Sequence, residues 1–291
     1  MKIIKDPETI AEWARGRHAR RQRIALVPTM GFFHDGHLSL MRRAGELADQ
    51  VVVSLFVNPT QFGPGEDLEA YPRDVERDVK LAAASKVNVL FAPETHQMYP
   101  EGFLTGVRVA EISESLCGRD RPVHFQGVAT VVCKLFNMID PDVAVFGNKD
   151  YQQLVLIRRM ARDLNFQVKV VGHPIVREAD GLAMSSRNAY LRPEDRSSAL
   201  SLFSGLQMAR QLVAAGERRG QVLCERVRAH ILTHPKTSVD YVSVVNKNTM
   251  GAVDVVDQDS LMAVAVKVAG KVRLIDNSLL QGGDEECQDV M

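Results

Sequence analysis

Short apolar runs alternate with amphipathic segments along residues 1–175, and this alternation restricts the possible folds more than any other feature. Runs with the composition of strands lie at 24–27, 51–57, 88–92, 143–146 and 168–171. Segments with apolar residues at helical spacing lie at 38–48, 74–84, 128–139 and 151–164. Strands joined by helical crossovers form parallel sheets covered by helices. The sequence therefore predicts an α/β fold with a doubly wound, Rossmann-like parallel sheet.

The pattern changes after about residue 176. Helical sequence dominates 193–233, and three strand-like runs follow at 239–245, 261–268 and 271–276. Gly270 and Lys271 have the character of a hairpin turn between the last two runs. We therefore expect two domains, residues 1–175 and a smaller α+β domain at 176–291 that closes over the first. The polar segment 282–286 predicts a frayed tail.

Charge and cysteine content narrow the class of partner. The 36 Lys and Arg residues balance 36 Asp and Glu residues, so no global field attracts nucleic acid or an anionic membrane. The four cysteines are scattered without a Cys-x-x-Cys pair, which fits a reducing cytoplasm. The first residues lack the apolar core of a signal peptide, and no apolar run is long enough to span a membrane. Small molecules are the expected partners.

A His-x-Gly-His turn follows the first strand-like run. His34, Gly36 and His37 stand just before an amphipathic segment, so they are expected at the start of a helix. The free N–H groups and the dipole of a helix start favour anions, and Gly36 lets a ligand approach the backbone. Both imidazoles can donate hydrogen bonds to phosphate oxygens. The turn indicates an enzyme that acts on the α-phosphate of a nucleotide.

Two other interpretations of the histidine pair remain open. Two histidines three residues apart are also found as metal ligands or as surface residues without a function. A zinc site needs a third ligand at a recognisable spacing, and none is evident nearby. We therefore predict no protein-held metal.

Polar residues also follow two other predicted strands. Asn58 and Gln61 leave the second strand, where Asn58-Pro59 by itself signals only a turn. The amide of Gln61 is able both to donate to a carboxylate and to accept from a hydroxyl of a small substrate. These positions lie at the carboxyl ends of parallel strands, where such sheets bind ligands.

The segment after the fourth strand repeats this arrangement. Gly147 permits close backbone approach, Lys149 neutralises phosphate charge, and Asp150 is suited to ribose hydroxyls. Gln153 begins the next helix and is expected to point into the cleft. A Lys-Asp dipeptide is often a solvated surface pair, but its place at a strand end favours function.

A fourth segment, at 180–188, contains two hydroxyls and a guanidinium in sequence. Ser185, Ser186 and Arg187 together provide several hydrogen-bond donors and one delocalised charge for phosphate. A helix cap followed by a surface arginine is the structural alternative. The combination of this loop with the His-x-Gly-His turn is far more specific than either segment alone.

The paired segments are similar to the His-x-Gly-His and Lys-Met-Ser-Lys-Ser signatures of nucleotidyl-transferring α/β enzymes. Over nearly the whole chain the sequence resembles the pantoate–β-alanine ligase family. The matching segments are 28–31, 56–62, 71–73, 98–100, 121–128, 147–153, 180–188 and 273–277. Two departures from the family pattern are Phe33, where leucine is usual, and Asn148, where an acidic residue or glutamine is common.

The resemblance implies a reaction. It implies ATP-dependent condensation of pantoate with β-alanine through a pantoyl adenylate, with release of AMP and pyrophosphate. It also implies Mg²⁺ bound between phosphate oxygens rather than caged by protein, and a homodimer. This chemistry requires placement and charge stabilisation rather than a protein nucleophile.

The resemblance also implies roles for individual residues. The catalytic group comprises His34, His37, Lys149 and Arg187, with His37 as the proton donor. ATP is expected to contact Met30, Gly31, His34, His37, Gly147, Asn148, Lys149, Asp150, the Val176 backbone, Met184, Ser185, Ser186 and Arg187. Pantoate and β-alanine are expected to contact Met30, Asn58, Gln61 and Gln153.

Two rival functions remain at this point. A nucleotidylyltransferase would use the same turn to transfer AMP to a phosphate acceptor. Gln61 and Gln153 disfavour it, because a phosphate acceptor calls for basic groups. The second rival is a nucleotide-binding module without catalysis, or one that binds RNA, and zero net charge argues against RNA.

Overall fold

A six-stranded parallel sheet forms the first part of the chain in the computed structural model, which describes residues 1–282. Its strands are β1 (Lys2–Ile4), β2 (Ile24–Thr29), β3 (Gln50–Leu55), β4 (Val89–Phe91), β5 (Val143–Gly147) and β6 (Lys169–His173). They lie in the order β1-β4-β3-β2-β5-β6. From β2 the chain runs outward through β3 and β4, and from β5 it runs to β6 on the other side. This is the predicted doubly wound α/β topology.

Helices cover both faces of this sheet. They are α1 (Pro7–His18), α2 (Asp35–Leu47), α3 (Val75–Ala84), α4 (Thr95–Met98), α5 (Cys117–Asp120), α6 (His124–Ile139) and α7 (Tyr151–Asp163). Side chains alternate along a strand, so Leu26 packs in the core beside α1, α6 and α7. Val27 packs in the opposite core beside α2 and α3. The central strands are therefore buried on both faces, as their continuous apolar sequence predicts.

All five strands predicted for this sheet are present, and its sixth strand, β1, was not predicted. β1 has three residues and pairs with β4 at the edge of the sheet, so its sequence carries little periodicity. The third of the predicted helical segments, at 128–139, begins four residues earlier, at His124. The 51–57 run leaves the sheet after Leu55, before the Asn58-Pro59 turn.

A smaller unit follows. Helices α8 (Arg196–Ala214) and α9 (Gly220–Leu232) precede strands β7 (Thr237–Asn246), β8 (Ser260–Val268) and β9 (Val272–Leu279). Within the described residues these strands form a three-stranded antiparallel sheet. One face packs on α8 and α9, and the other joins the core of the first sheet. The predicted hairpin turn is present, with Gly270 at a φ of +68°.

The division at residue 175 stays a prediction. The tail predicted at 282–286 lies outside the described residues, apart from Gly282.

Candidate active site

The main cleft opens where the order of the sheet reverses. β2 and β5 are neighbours, and the chain leaves them in opposite directions. Beyond their carboxyl ends lies a cavity of about 210 Å³, which adjoins a larger one of about 900 Å³ that reaches the C-terminal sheet. Doubly wound sheets bind ligands at this position.

The smaller cavity, which we call the nucleotide cavity, brings together all but two of the residues predicted for the site. Those that line it are Met30, His34, His37, Asn58, Gln61, Gly147, Lys149, Asp150, Gln153, Val176, Met184, Ser185, Ser186 and Arg187. Gly31 lies instead at a neighbouring cavity of about 340 Å³. Asn148 is buried, and its Oδ1 occupies the space that a Cβ at Gly172 would need. Asn148 does not line the nucleotide cavity, and its assignment to the ATP site stays a prediction.

A buried carboxylate shapes the turn that carries the histidines. Gly31 and Phe32 have φ values of +86° and +53°, and the second is unusual for a residue with a Cβ. Asp78, only 1% exposed, accepts hydrogen bonds from the N–H groups of Phe32 and Phe33, both at 2.7 Å. Sequence reasoning missed Asp78, because it comes from α3, 45 residues downstream of Phe33.

Steric constraints explain the glycine between the histidines. A Cβ at Gly36 would lie 2.9 Å from the ring of His34, so only glycine lets that ring fold back over α2. The rings of His34 and His37 then lie with centroids 4.0 Å apart, and Phe33 packs 5.6 Å from His37. Phe33 is fully buried, so the aromatic residue that stands here in place of the usual leucine packs firmly against the His37 ring.

Burial keeps both rings neutral at pH 7. Desolvation, followed by the charge of Lys149, lowers the pKa of His34 to about 4. Desolvation, followed by His34 and Lys149, lowers the pKa of His37 well below its ordinary value. Nδ1 of His37 accepts from the backbone N–H of His34 at 3.4 Å, so the proton of the neutral ring is on Nε2.

Asn58 holds Gln61 in place from behind the cleft. It is 1% exposed, and its Nδ2 donates to Oε1 of Gln61 at 3.2 Å and to the Gly127 carbonyl at 3.1 Å. Its Oδ1 accepts from Tyr99 at 2.9 Å. With its amide used in this way, Asn58 orients Gln61. Nε2 of Gln61 lies 2.8 Å from Sδ of Met30.

The turn after β5 brings charge to the start of α7. Nζ of Lys149 lies 3.6 Å from Oδ2 of Asp150. A Cβ at Gly147 would meet only Lys149 N at 4.0 Å, so no other part of the described protein fills the space beside this glycine. Since α2 and α7 both begin at this cleft, two helix dipoles favour an anion there.

Arg187 is held by a carboxylate that sequence reasoning did not identify. Its Nε and Nη2 donate to the two oxygens of Asp67, each at 2.8 Å. Burial opposes ionisation of Asp67, but the guanidinium brings the pKa of that carboxyl below its ordinary value. Oγ of Ser186 lies 3.4 Å from the Phe32 carbonyl, and Ser185 accepts from the N–H of Arg187 at 3.3 Å. Asp67 accepts from two of the five N–H donors of the guanidinium, so Arg187 keeps others for a further acceptor.

A second arginine lies at the mouth of the cleft. Arg121 pairs with Glu66, with Nε 2.9 Å from Oε1, and His124 donates through Nδ1 to the Gln61 carbonyl at 3.0 Å. The Arg-x-x-His spacing is part of the resemblance at 121–128, and it was the available signal for these residues.

His124 gives the chain a testable pH dependence. Burial, followed by the charge of Arg121, lowers the pKa of His124 to about 4. The unfolded chain therefore binds a proton below about pH 6.5 that the folded chain refuses, and stability falls as pH drops from 6.5 towards 4. Between pH 7 and pH 5 the free energy of unfolding should fall for both proteins. We expect the fall to be about 1–2 kcal/mol smaller for His124→Gln than for the unsubstituted chain. Urea unfolding at the two pH values measures this difference, and equal losses would contradict it.

Two kinds of feature are absent from residues 1–282. No group of three or more His, Cys, Asp or Glu side chains in that range is arranged to hold a metal ion. No helix in that range has the length and hydropathy needed to cross a membrane.

Comparison with known proteins points to one family. The family model for pantoate–β-alanine ligase matches residues 2–279. A pantothenate synthetase of Desulforapulum autotrophicum is 53% identical over 280 residues, covering 96% of this chain and 99% of that protein.

Solved structures agree with the sequence match. The crystal structure of pantothenate synthetase from Thermus thermophilus has a TM-score of 0.91 at 42% identity, covering 97% of this chain and all of that chain. The ligase from Francisella tularensis, described as complexed with β,γ-ATP and β-alanine, has a TM-score of 0.78 at 32% identity over 98% of this chain and 99% of that one. Matches of this extent show the family, and this chain belongs to the pantoate–β-alanine ligases.

Proposed function

We propose that this chain joins pantoate to β-alanine at the expense of ATP, through a pantoyl adenylate. The observation that carries the proposal is the composition of one cleft. Two helix starts, two neutral histidines and Lys149 surround its phosphate end, while the uncharged amides of Gln61 and Gln153 lie beside them. An anionic nucleotide and a small polar acid fit such a cleft.

The reaction proceeds in two steps. A carboxylate oxygen of pantoate attacks the α-phosphorus of ATP, the bond to the β-phosphate oxygen breaks, and pyrophosphate leaves. The amine of β-alanine then attacks the acyl carbon of the adenylate. The C–O bond to AMP breaks, and the amine gives up a proton as the amide forms. Neither step requires a covalent bond to the protein.

The chain stabilises the charge that develops on the phosphates. His37 donates from Nε2, and His34 lies against the same oxygens. Lys149 balances the charge on the departing pyrophosphate, and Arg187 joins it through the N–H donors that Asp67 does not accept. Donors held in place before the reaction stabilise its transition state without reorganising.

Other residues hold the nucleoside and the acid. Asp150 and Gly147 contact the ribose, and the Val176 backbone meets the adenine. The Val176 carbonyl accepts from the Met184 N–H at 3.0 Å, which ties the adenine segment to the loop that carries Ser185 and Ser186. Gln61 and Gln153 bind the carboxylate and hydroxyl groups of pantoate, beside Met30.

Mg²⁺ is expected to bind together with ATP. Asp150 is a carboxylate that lines the nucleotide cavity, 48% exposed at its side chain, which suits contact with a hydrated cation. When bound, Mg²⁺ would neutralise charge on the phosphates and would be held by their oxygens, and the carboxylate of Asp150, which contacts the ribose, would meet it only through a water molecule.

Three wider features complete the proposal. The cavity of about 900 Å³ lies between the two sheets, so closure of residues 176–291 over residues 1–175 would keep water from the adenylate. By resemblance the chain acts as a homodimer, which sedimentation velocity tests. The scattered cysteines fit work in the cytoplasm.

Gln153 provides a test of the substrate end. Gln153→Ala is expected to raise the KM for pantoate roughly 10- to 100-fold, because it removes hydrogen bonds to a charged substrate. The KM for ATP should change little. Gln167→Ala, at an exposed glutamine just before β6, is the matched control and should behave like the unsubstituted chain. A rise confined to the KM for ATP would show that Gln153 is wrongly assigned.

Product analysis tests the reaction class. With ATP, Mg²⁺, pantoate and β-alanine present, we expect one AMP and one pyrophosphate for each amide formed, which liquid chromatography measures. ADP and phosphate would overturn the adenylate route. Transfer of AMP to a phosphate acceptor, with no amide, would favour the nucleotidylyltransferase.

A further inference from the structure

The last strand of the C-terminal sheet reaches into the nucleotide site of the first sheet. Asn277 lies on β9 and is 6% exposed. Its Nδ2 donates to two consecutive main-chain carbonyls, those of Asn148 and Lys149, both at 2.9 Å. Both N–H groups of one side-chain amide are thus engaged by the turn that carries Lys149.

The neighbouring residue anchors the same strand at a second point. Asp276 is 3% exposed and accepts from both terminal nitrogens of Arg177, at 2.7 and 3.0 Å. It also accepts from the backbone N–H of Asn277 at 2.8 Å. Arg177 directly follows Val176, so β9 is bonded to the segments on both sides of the nucleotide cavity.

The turn that Asn277 holds determines where Lys149 points. Residues Asn148–Asp150 form a single 3-10 turn between β5 and α7. A short 3-10 turn has weaker hydrogen-bond geometry than an α-helix, so outside bonds matter more to its position. Lys149 lines the cavity with a side chain that is 19% exposed.

We infer that Asn277 is a positioning residue for Lys149, through which the C-terminal sheet sets the geometry of the phosphate site. This inference rests on the proposed function, in which Lys149 stabilises the departing pyrophosphate. Loss of the Asn277 amide frees the turn, and Lys149 no longer meets the phosphates at the required place. A displacement of about 1 Å from a remote substitution is able to reduce a rate roughly 100-fold.

A double-mutant cycle separates positioning from a merely structural role. Asn277→Ala, Lys149→Ala and the double variant are compared with the unsubstituted chain by exchange of labelled pyrophosphate into ATP in the presence of pantoate. Asn277→Ala should lower exchange roughly 10- to 100-fold when Lys149 is present. In the Lys149→Ala background it should lower exchange less than about threefold, because residues that act together are not additive.

Three controls keep the cycle interpretable. Asn246→Ala removes an asparagine of the same sheet that bonds only locally in the structure described, to the N–H groups of Asn248 and Thr249, and should leave exchange unchanged. Asn277→Asp keeps the size of the side chain but places a carboxylate oxygen, which cannot donate, beside the two carbonyl oxygens. It should lower exchange at least as much as Asn277→Ala. If Asn277→Ala does not fold, Asn277→Ser takes its place, since a serine hydroxyl has one donor for two carbonyls.

Each outcome has a definite meaning. Equal fold losses in the two backgrounds, or an effect of Asn246→Ala as large as that of Asn277→Ala, would overturn the positioning role. Full exchange by the Asn277 variants would do the same. No exchange by the unsubstituted chain would overturn the proposed function instead, so the two failures are distinguishable.

Discussion

Replacing His37 with alanine is expected to lower kcat for amide formation by roughly two to four powers of ten, the usual range for a group that manages a proton or hydrogen bond at the reacting centre. The ring is fixed by the His34 N–H on Nδ1 at 3.4 Å and by the packing of Phe33. Its Nε2–H therefore faces the cleft without the need to reorganise. The low pKa of His37 means that the resting ring donates a hydrogen bond as a neutral group. The sequence suggested a proton donor, and burial refines that role.

Steady-state kinetics together with far-ultraviolet circular dichroism provide the measurement for His37. His37→Gln, which keeps an N–H donor, should recover part of the rate. His96→Ala is the matched control, because His96 is 76% exposed at its side chain and lies away from the cleft residues. Unchanged turnover in a folded His37→Ala protein would remove His37 from the mechanism.

Replacing Lys149 with alanine is the second change with a large expected effect. We expect adenylate formation to slow by roughly two to three powers of ten, as when one preorganised electrostatic group is removed. Lys149 lies beside the starts of α2 and α7, so its full positive charge adds to the partial positive charges of two helix dipoles. The loss should fall mainly on kcat, because the charge on pyrophosphate grows as it departs.

Rapid-quench measurement of a single turnover tests this prediction. Lys149→Arg should retain part of the rate, since charge is kept but the planar guanidinium differs in shape and reach. Lys80→Ala, at an exposed lysine of α3, serves as the control. A loss below about threefold in Lys149→Ala would show that the phosphates are stabilised by other groups.

The parts of the fold that were predictable are those with strong local patterns. The run at 51–57 predicts a buried strand because it is continuous, apolar and stopped by Asn58-Pro59. β1 has no such pattern, and only its pairing with β4 makes it a strand. α1 was also missed, since only Ile10 and Ala14 are buried on it. The Asp6 cap followed by Pro7 was a usable signal for its start.

The candidate site divides in the same way. His34, Lys149 and Ser185 stand at strand ends or in recognisable segments, so their shared cavity was predictable from topology. Their partners were not. Asp67 meets Arg187 across 120 residues, and Asn277 meets Lys149 across 128. Such contacts depend on how two sheets pack, which no local pattern records.

Charge states were equally out of reach of the sequence. The sequence shows His34 and His37 only as two histidines, without their surroundings. Their low pKa values result from burial and from the nearby charge of Lys149. The side-chain direction of Asn148 similarly depends on the space left by Gly172, on a neighbouring strand.

Pantoate-dependent exchange of labelled pyrophosphate into ATP, with Mg²⁺ present and β-alanine absent, tests the central claim most directly. The proposed adenylate forms reversibly without the amine, so we expect label to enter ATP only when pantoate is added. Omission of pantoate is the internal control. No exchange from a folded chain that demonstrably binds ATP would contradict the adenylate route for this protein.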